Sequence, residues 1–120
     1  MARLKTRPDF LRAAKGIRRV ASSVTIEVCP TPEAAPRQLR VGFTATRKLG
    51  GAVTRNRAKR RLRAAAAAVL PLYGQEGNDY VLVARQGTLT SPFSGLLTDL
   101  TTALHAAHIK LGQLTAREPQ

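Results

Sequence analysis

The sequence predicts an α/β fold: a two-layer sandwich of about three helices on one small mixed central sheet, in the order α-β-β-α-β-α, with a possible extra short strand. Three observations predict it. Residues 22–29 alternate, with Val24, Ile26 and Val28 on one face and Thr25, Glu27 and Cys29 on the other, which is the period of a half-buried strand. Residues 80–84 (YVLVA) are a short apolar run rich in β-branched side chains, the mark of a central strand buried on both faces. Residues 52–70 and 92–111 each carry one apolar stripe at helical spacing, suited to packing on a sheet.

The elements follow in order. Residues 1–7 read as flexible and basic. Pro8 and Asp9 open a short helix that runs to about Lys15, because proline suits the first turn and an acid suits its positive end. Gly16 stops it. After the strand at 22–29, a Pro/Ala connector runs from Pro30 through Pro36. A second strand, 39–46, places Val41, Phe43 and Ala45 on one face and Arg40, Gly42, Thr44 and Thr46 on the other. The two strands are expected to pair as a long-looped hairpin. In the helix at 52–70 the stripe is Ala58, Leu62, Ala65, Ala66 and Val69, and Pro71 ends it. Ser91 caps the last helix with Pro92 at its first position. Its stripe is Phe93, Leu96, Leu97, Leu100, Leu104, Ala107 and Leu111. A single domain over 1–112 with a flexible tail at 113–120 is expected.

Charge is distributed unevenly. The chain of 120 residues has a net charge of +13. Residues 1–63 carry 17 basic and 3 acidic side chains, Asp9, Glu27 and Glu33, whereas residues 64–120 carry 3 basic and 4 acidic ones. The first half therefore holds the partner surface, and the partner is a polyanion. Its ordinary content of Val, Ile and Leu separates the chain from a disordered basic tail. A lone cysteine, Cys29, excludes a disulfide framework and fits a reducing, cytoplasmic setting as a buried, unreactive thiol. No apolar run is long enough to span a membrane. The Arg-rich residues 2–19 read as a basic first helix rather than a transit peptide.

The densest signal lies between residues 40 and 64, RVGFTATRKLGGAVTRNRAKRRLRA, with nine Lys or Arg and no acid. From 55 to 63 six cations, Arg55, Arg57, Lys59, Arg60, Arg61 and Arg63, fan around one helix together with Asn56. A solvated helix face usually mixes signs, so this arc is assigned to nucleic acid, with arginine supplying bidentate phosphate contacts. Gly50-Gly51 reads as a strand-to-helix turn needing positive φ, in preference to a phosphate cradle. Phe10 stands in the basic half, and core anchoring and base stacking fit it equally well. His105 and His108 lack a third ligand and read as surface residues. Asp9, Glu27 and Asp79 lie on three separate elements, too scattered for a nuclease metal site. No catalytic residue and no metal ligand is assigned.

The same segment resembles the signature of the bacterial ribonuclease P protein subunit. Arg55-Asn56-Arg57 followed by Lys59-Arg60 matches that family's RNR motif. RVGFTATRKLGGAV looks like its strand and turn, LKTRPDFLRAAKG like its first helix, and DYVLVAR like the strand after the RNR helix. The resemblance implies an α/β sandwich with a left-handed βαβ crossover. It implies assembly, one protein per RNA, with a large catalytic RNA that removes the 5′ leader of precursor tRNA, with Mg²⁺ held mainly by the RNA. Arg55, Asn56, Arg57, Lys59 and Arg60, with neighbouring Arg61 and Arg63, would face that RNA. Phe10, Thr44, Thr46 and Lys48 would line a cleft for the single-stranded leader.

Four positions depart from the family pattern. Ala14 replaces a frequent second aromatic, Glu27 puts an acid on the inferred cleft face, Gly51 replaces a usual Asn and Ala64 a usual Glu. The main rival is a structural or ribosome-associated RNA-binding protein with no role in cleavage. A major-groove DNA binder and a self-contained nuclease are the others.

Overall fold

The computed structural model describes residues 1–32 and 38–117, with side chains described through residue 113. Its elements are β1 (Ala2–Arg3), α1 (Arg7–Ala14), β2 (Ile17–Val20), β3 (Val24–Pro30), β4 (Arg40–Thr44), a 3-10 turn (Arg47–Leu49), α2 (Ala52–Tyr73), β5 (Asn78–Ala84), α3 (Gln86–Thr90) and α4 (Phe93–Arg117). The five strands form one mixed sheet in the order β1-β4-β5-β3-β2.

β5 is the hub of this sheet. It pairs in parallel with β4 on one side and antiparallel with β3 on the other, in the registers Val41↔Tyr80 and Val28↔Tyr80. Residues 78–82 are buried without a break, as a strand covered on both faces requires. The expected hairpin between β3 and β4 is therefore absent, because β5 stands between them. β4 and β5 are parallel neighbours joined through α2, and a parallel pair needs such a crossover.

Alternation along the strands sorts side chains to two faces. On one face Val24, Ile26, Val28, Val41, Tyr80 and Leu82 meet α2 and α4 in the main core. All five stripe residues of α2 are buried, and Leu62, Ala65, Ala66 and Val69 enter this core together with Leu70. Leu62, Val69 and Leu70 alone contribute roughly 1.5–3 kcal/mol each on burial. Two exposed like charges 4 Å apart in water repel by only about 1 kcal/mol. Each of these burials exceeds the repulsion of one such pair. On the opposite face Cys29 and Val81 meet Leu4 and Ala13, with Phe10 and Val83 at the margin. There α1 lies on the sheet.

Several elements differ from expectation. Residues 1–7 are not all free: β1 pairs with β4, Leu4 is buried and Arg3 stacks over the Phe43 ring at 5.5 Å. β2 adds an edge strand to β3, so two short strands extend the predicted sheet. α3 is an additional short helix. α2 continues three residues beyond Leu70 with Pro71 inside it. Pro71 cannot donate to the carbonyl of Ala67, a residue on the exposed side of the helix. α4 starts at Phe93, where the Pro92 carbonyl accepts from Leu96 N–H at 3.1 Å, so Pro92 rather than Ser91 stands at the cap. Phe93, expected in the core stripe, is exposed, whereas Leu96, Leu100, Leu104 and Ala107 are buried as the spacing predicts. α4 runs on to Arg117, past Leu111. Most of the Pro/Ala connector and residues 118–120 of the expected tail lie outside the described residues.

Candidate nucleic-acid interface

α2 presents the cationic arc. Because its apolar stripe is turned to the core, Asn56, Arg57, Arg60 and Arg63 are exposed, and Arg55 and Lys59 are half-buried. Among the described residues ion pairs are confined to Arg12 and Arg40 with Asp9 and Asp79, so the arc is uncompensated. Arg61 departs from this set. It is half-buried, and its Nη2 donates to the Ser91 carbonyl at 2.5 Å, tying α2 to the α3–α4 junction.

The turn that feeds α2 also differs in part from expectation. Gly50 has φ +147°, a backbone that L side chains rarely adopt, whereas Gly51 is an ordinary extended residue at the helix N-terminus. The need for positive φ thus rests on the first glycine alone.

The second set runs along β4. The ring of half-buried Phe10 lies on Gly42, so Phe10 combines a packing role with a partly open ring. Thr44 follows on the same face of β4, one two-residue repeat (about 7 Å) farther along. Thr46 and Lys48 are exposed and line a cavity of about 320 Å³ together with Ser22, Leu49, Ala84, Arg85, Gln86 and Gly87. Phe10 and Thr44 thus lie on the α1 face of the sheet, and Thr46 and Lys48 line the cavity between the end of β4 and the start of α2. Arg85 and Gln86 join that lining without having been singled out in the sequence; Arg85 closes the DYVLVAR run, and that was the available signal. Glu27 is half-buried, and Arg18 stands opposite it across the β2–β3 pair. Burial pushes the Glu27 carboxyl up, against the opposing pull of Arg18.

Two of the three scattered acids do converge. Asp79, fully buried on β5, accepts Nε and Nη2 of Arg40 at 2.8 and 2.9 Å, Nη2 of Arg12 at 2.6 Å and the Thr31 hydroxyl at 2.8 Å. Asp9 on α1 accepts Arg12 at 2.9 Å, lies 3.1 Å from Arg40 and takes the Thr6 hydroxyl at 2.8 Å. Burial pushes the Asp79 pKa up, but the hydrogen bonds from Arg40, Thr31 and Arg12 outweigh it and hold the carboxyl below its ordinary value. The Thr6 bond, followed by the two arginines, lowers Asp9 despite its own burial penalty. These carboxylates are occupied by guanidinium groups, and among the described residues no three His, Cys, Asp or Glu side chains come together as a metal site. Cys29 is buried beside this network, and burial followed by the Asp79 charge pushes its thiol up, away from reactivity.

The histidines are placed differently from each other. His105 is exposed and tilts against Tyr73 with ring centroids 5.5 Å apart. His108, expected at the surface, is half-buried, with Nε2 2.8 Å from the hydroxyl of fully buried Tyr80. That hydroxyl also accepts from Gln75 N–H at 2.9 Å, so one oxygen ties the loop after α2 to α4. Burial, then the neighbouring His105, pushes the His108 pKa down.

Known proteins resemble this chain in sequence and in fold. The ribonuclease P protein component of Caulobacter vibrioides is 53% identical over 102 residues, covering 85% of this chain and 68% of the relative. That of Ruegeria pomeroyi is 48% identical over 106 residues, covering 88% and 85%. The Staphylococcus aureus RNase P protein superposes with a TM-score of 0.72 at 26% identity, over 89% of this chain and 95% of that one. The Thermotoga maritima RNase P protein has the same fold, with a TM-score of 0.71 at 23% identity over 87% and 96%. Among the described residues no helix is long and apolar enough to cross a membrane. The family model described as Ribonuclease P matches residues 1–108, and with the basic α2 arc and the mixed sheet in place the chain belongs to the ribonuclease P protein family.

Proposed function

We propose that the chain is the protein subunit of a ribonuclease P that removes the 5′ leader from precursor tRNA, with the catalytic centre and its Mg²⁺ on the RNA subunit. The observation that carries this reading is the uncompensated arc of Arg55, Asn56, Arg57, Lys59, Arg60 and Arg63 on a helix whose other side is fixed in the core. A cationic arc on a fixed helix neutralises closely spaced phosphates, and arginine forks match phosphate oxygens in pairs. Arg61 supports this arc from beneath, through Ser91. Phe10, Thr44, Thr46 and Lys48 take the single-stranded leader, with the open part of the Phe10 ring offered to a base and Lys48 to a phosphate.

The metal supplies the activated water and the charge stabilisation for phosphodiester hydrolysis. This chain's residues contribute binding and position: they hold the leader near the cleavage site and reduce the repulsion between two RNAs. In the network of Arg12, Arg40, Asp9 and Asp79 both carboxylates are engaged by guanidinium groups. In this reading the protein works in the cytoplasm, one copy per RNA, as a single domain.

Precursor tRNA cleavage at low Mg²⁺ by a bacterial ribonuclease P RNA, with and without the protein, tests the reading. Strong stimulation only when both are present supports it. Cleavage by the protein alone, or no stimulation despite tight RNA binding, would overturn it.

A further inference from the structure

α1 is eight residues long, and among its residues only Ala13 is fully buried. A helix this short is not stable alone in water, where about 12–15 residues are needed, so tertiary ties hold it. The strongest tie crosses from α1 to the hub strand. Arg12 is on α1, Asp79 is on β5, 67 positions away, and the Asp79 carboxylate is fully buried. The same helix carries Phe10, whose ring lies on Gly42 of β4. The tether and the ring therefore move as one body.

Arg12 also differs electrostatically from the cations of α2. It is shared between Asp9 and Asp79, and with Arg40 the group of two guanidiniums and two carboxylates is neutral. Its charge is spent inside the protein, so it offers little to a phosphate. Its remaining influence on RNA is mechanical.

We propose that Arg12, acting through the buried Asp79, is a positioning residue that sets the Phe10 ring against β4 and thereby sets how selectively the single-stranded leader is held. This rests on the leader-binding reading given above. Arg12 touches no RNA in this proposal. Removing it lets α1 drift, and the ring loses its place while the α2 arc stays as it was.

The test uses the holoenzyme reconstituted with a bacterial ribonuclease P RNA. Affinities for precursor and mature tRNA are measured for the parent protein, Arg12→Gln, Arg12→Lys, Phe10→Ala and the Arg12→Gln/Phe10→Ala double variant. Phe10→Ala should lower the precursor-to-mature affinity ratio about fivefold or more, the scale of one lost base–ring stack. Arg12→Gln should lower it about threefold, since the ring is displaced rather than removed. The double variant should match Phe10→Ala alone, and Arg12→Lys, which keeps one charged bond to Asp79, should recover part of the ratio. A fold that is merely weakened would reduce both affinities together and leave the ratio unchanged. The salt dependence of binding should keep its slope in Arg12→Gln.

Losses that multiply in the double variant, or a slope reduced by about 0.7, would make Arg12 a phosphate contact and overturn the proposal. An unchanged ratio in Arg12→Gln, with a clear loss in Phe10→Ala, would overturn it while leaving the leader reading intact. No loss in Phe10→Ala itself would overturn both.

Discussion

The ring of Phe10 occupies the space a side chain at position 42 would need: a Cβ on Gly42 would stand 2.7 Å from its Cε1 and Cζ. Gly42→Ala must therefore displace the ring, and with it α1. The nearest obstacle is the far end of the Phe10 side chain, and the Leu4 Cβ at 3.1 Å need give only a few tenths of an ångström, so the protein should still fold. The expected cost is about 1–3 kcal/mol, as for other overpacked sites, read from urea denaturation. Precursor tRNA binding should fall more than mature tRNA binding. Equal falls would show that the ring's place does not matter to the leader.

Arg57 and Arg60 should behave differently from Arg61, although all three belong to one basic run. Arg57→Ala with Arg60→Ala should weaken binding to the RNA subunit and flatten the slope of log K against log salt by about 0.7–0.9 for each lost phosphate contact. Thermal stability should hardly change, because both side chains are exposed. Arg61→Ala should cost about 1–2 kcal/mol of folding stability, because the Ser91 carbonyl loses a charged donor. An undiminished slope in the double variant would remove these two residues from the RNA interface.

Asp79→Asn should be the most damaging single change. It leaves Arg40 and Arg12 beside a neutral group in a buried site, and breaking such a pair costs about 3–5 kcal/mol. The pH dependence follows from the lowered pKa. Asp79 and Asp9 bind protons less readily folded than unfolded, so their stabilising effect is complete above the ordinary carboxylate value of 3.8 and is lost as pH falls below it. Urea titrations between pH 5 and about 2 should show this loss in the parent protein and a smaller one in Asp79→Asn.

His108 predicts a second, milder acid effect. Its pKa is lowered on folding, so the unfolded chain takes up a proton first as pH falls. Stability should be level above the ordinary histidine value of 6.5 and should decline below it, as the unfolded chain gains a proton that half-buried His108 still resists. His108→Gln should remove that decline at a cost of about 0.5–1.5 kcal/mol at neutral pH, the worth of one hydrogen bond. A decline that persists in the variant would assign it to another group.

Periodicity made some features legible and left others hidden, for physical reasons. The stripe Ala58, Leu62, Ala65, Ala66 and Val69 is buried in full because helical spacing alone decides which side of α2 faces the core. The YVLVA run sits at the sheet's centre because only a strand covered on both faces lacks polar alternation. Pairing was not legible. Alternation tells which face of β3 or β4 is apolar, but not which strand lies alongside, so β5 between them escaped notice. β1 and β2 are two and four residues long, too short to show a period. Arg12 and Arg40 read as ordinary members of a basic half, because a one-dimensional count cannot separate a cation neutralised by a distant carboxylate from a free one. The cations of α2 were legible one by one as a basic run. That Arg61 turns inward and that Arg85 joins the cavity depends on where α3 begins and where α4 crosses α2.

The position of β5 has a consequence for synthesis. A chain grown only as far as residue 77 already contains every Lys and Arg except Arg85, Lys110 and Arg117. It also contains four of the five strands, but these form two separate pairs, β1 with β4 and β2 with β3, which meet nothing in common until β5 arrives. The emerging polypeptide thus exposes nearly all of its attraction for RNA before it has a sheet to arrange it on. The ribosome, itself largely RNA, is the first polyanion it meets. Completion of seven residues, Asn78–Ala84, turns a diffuse cationic segment into an ordered surface with a defined shape.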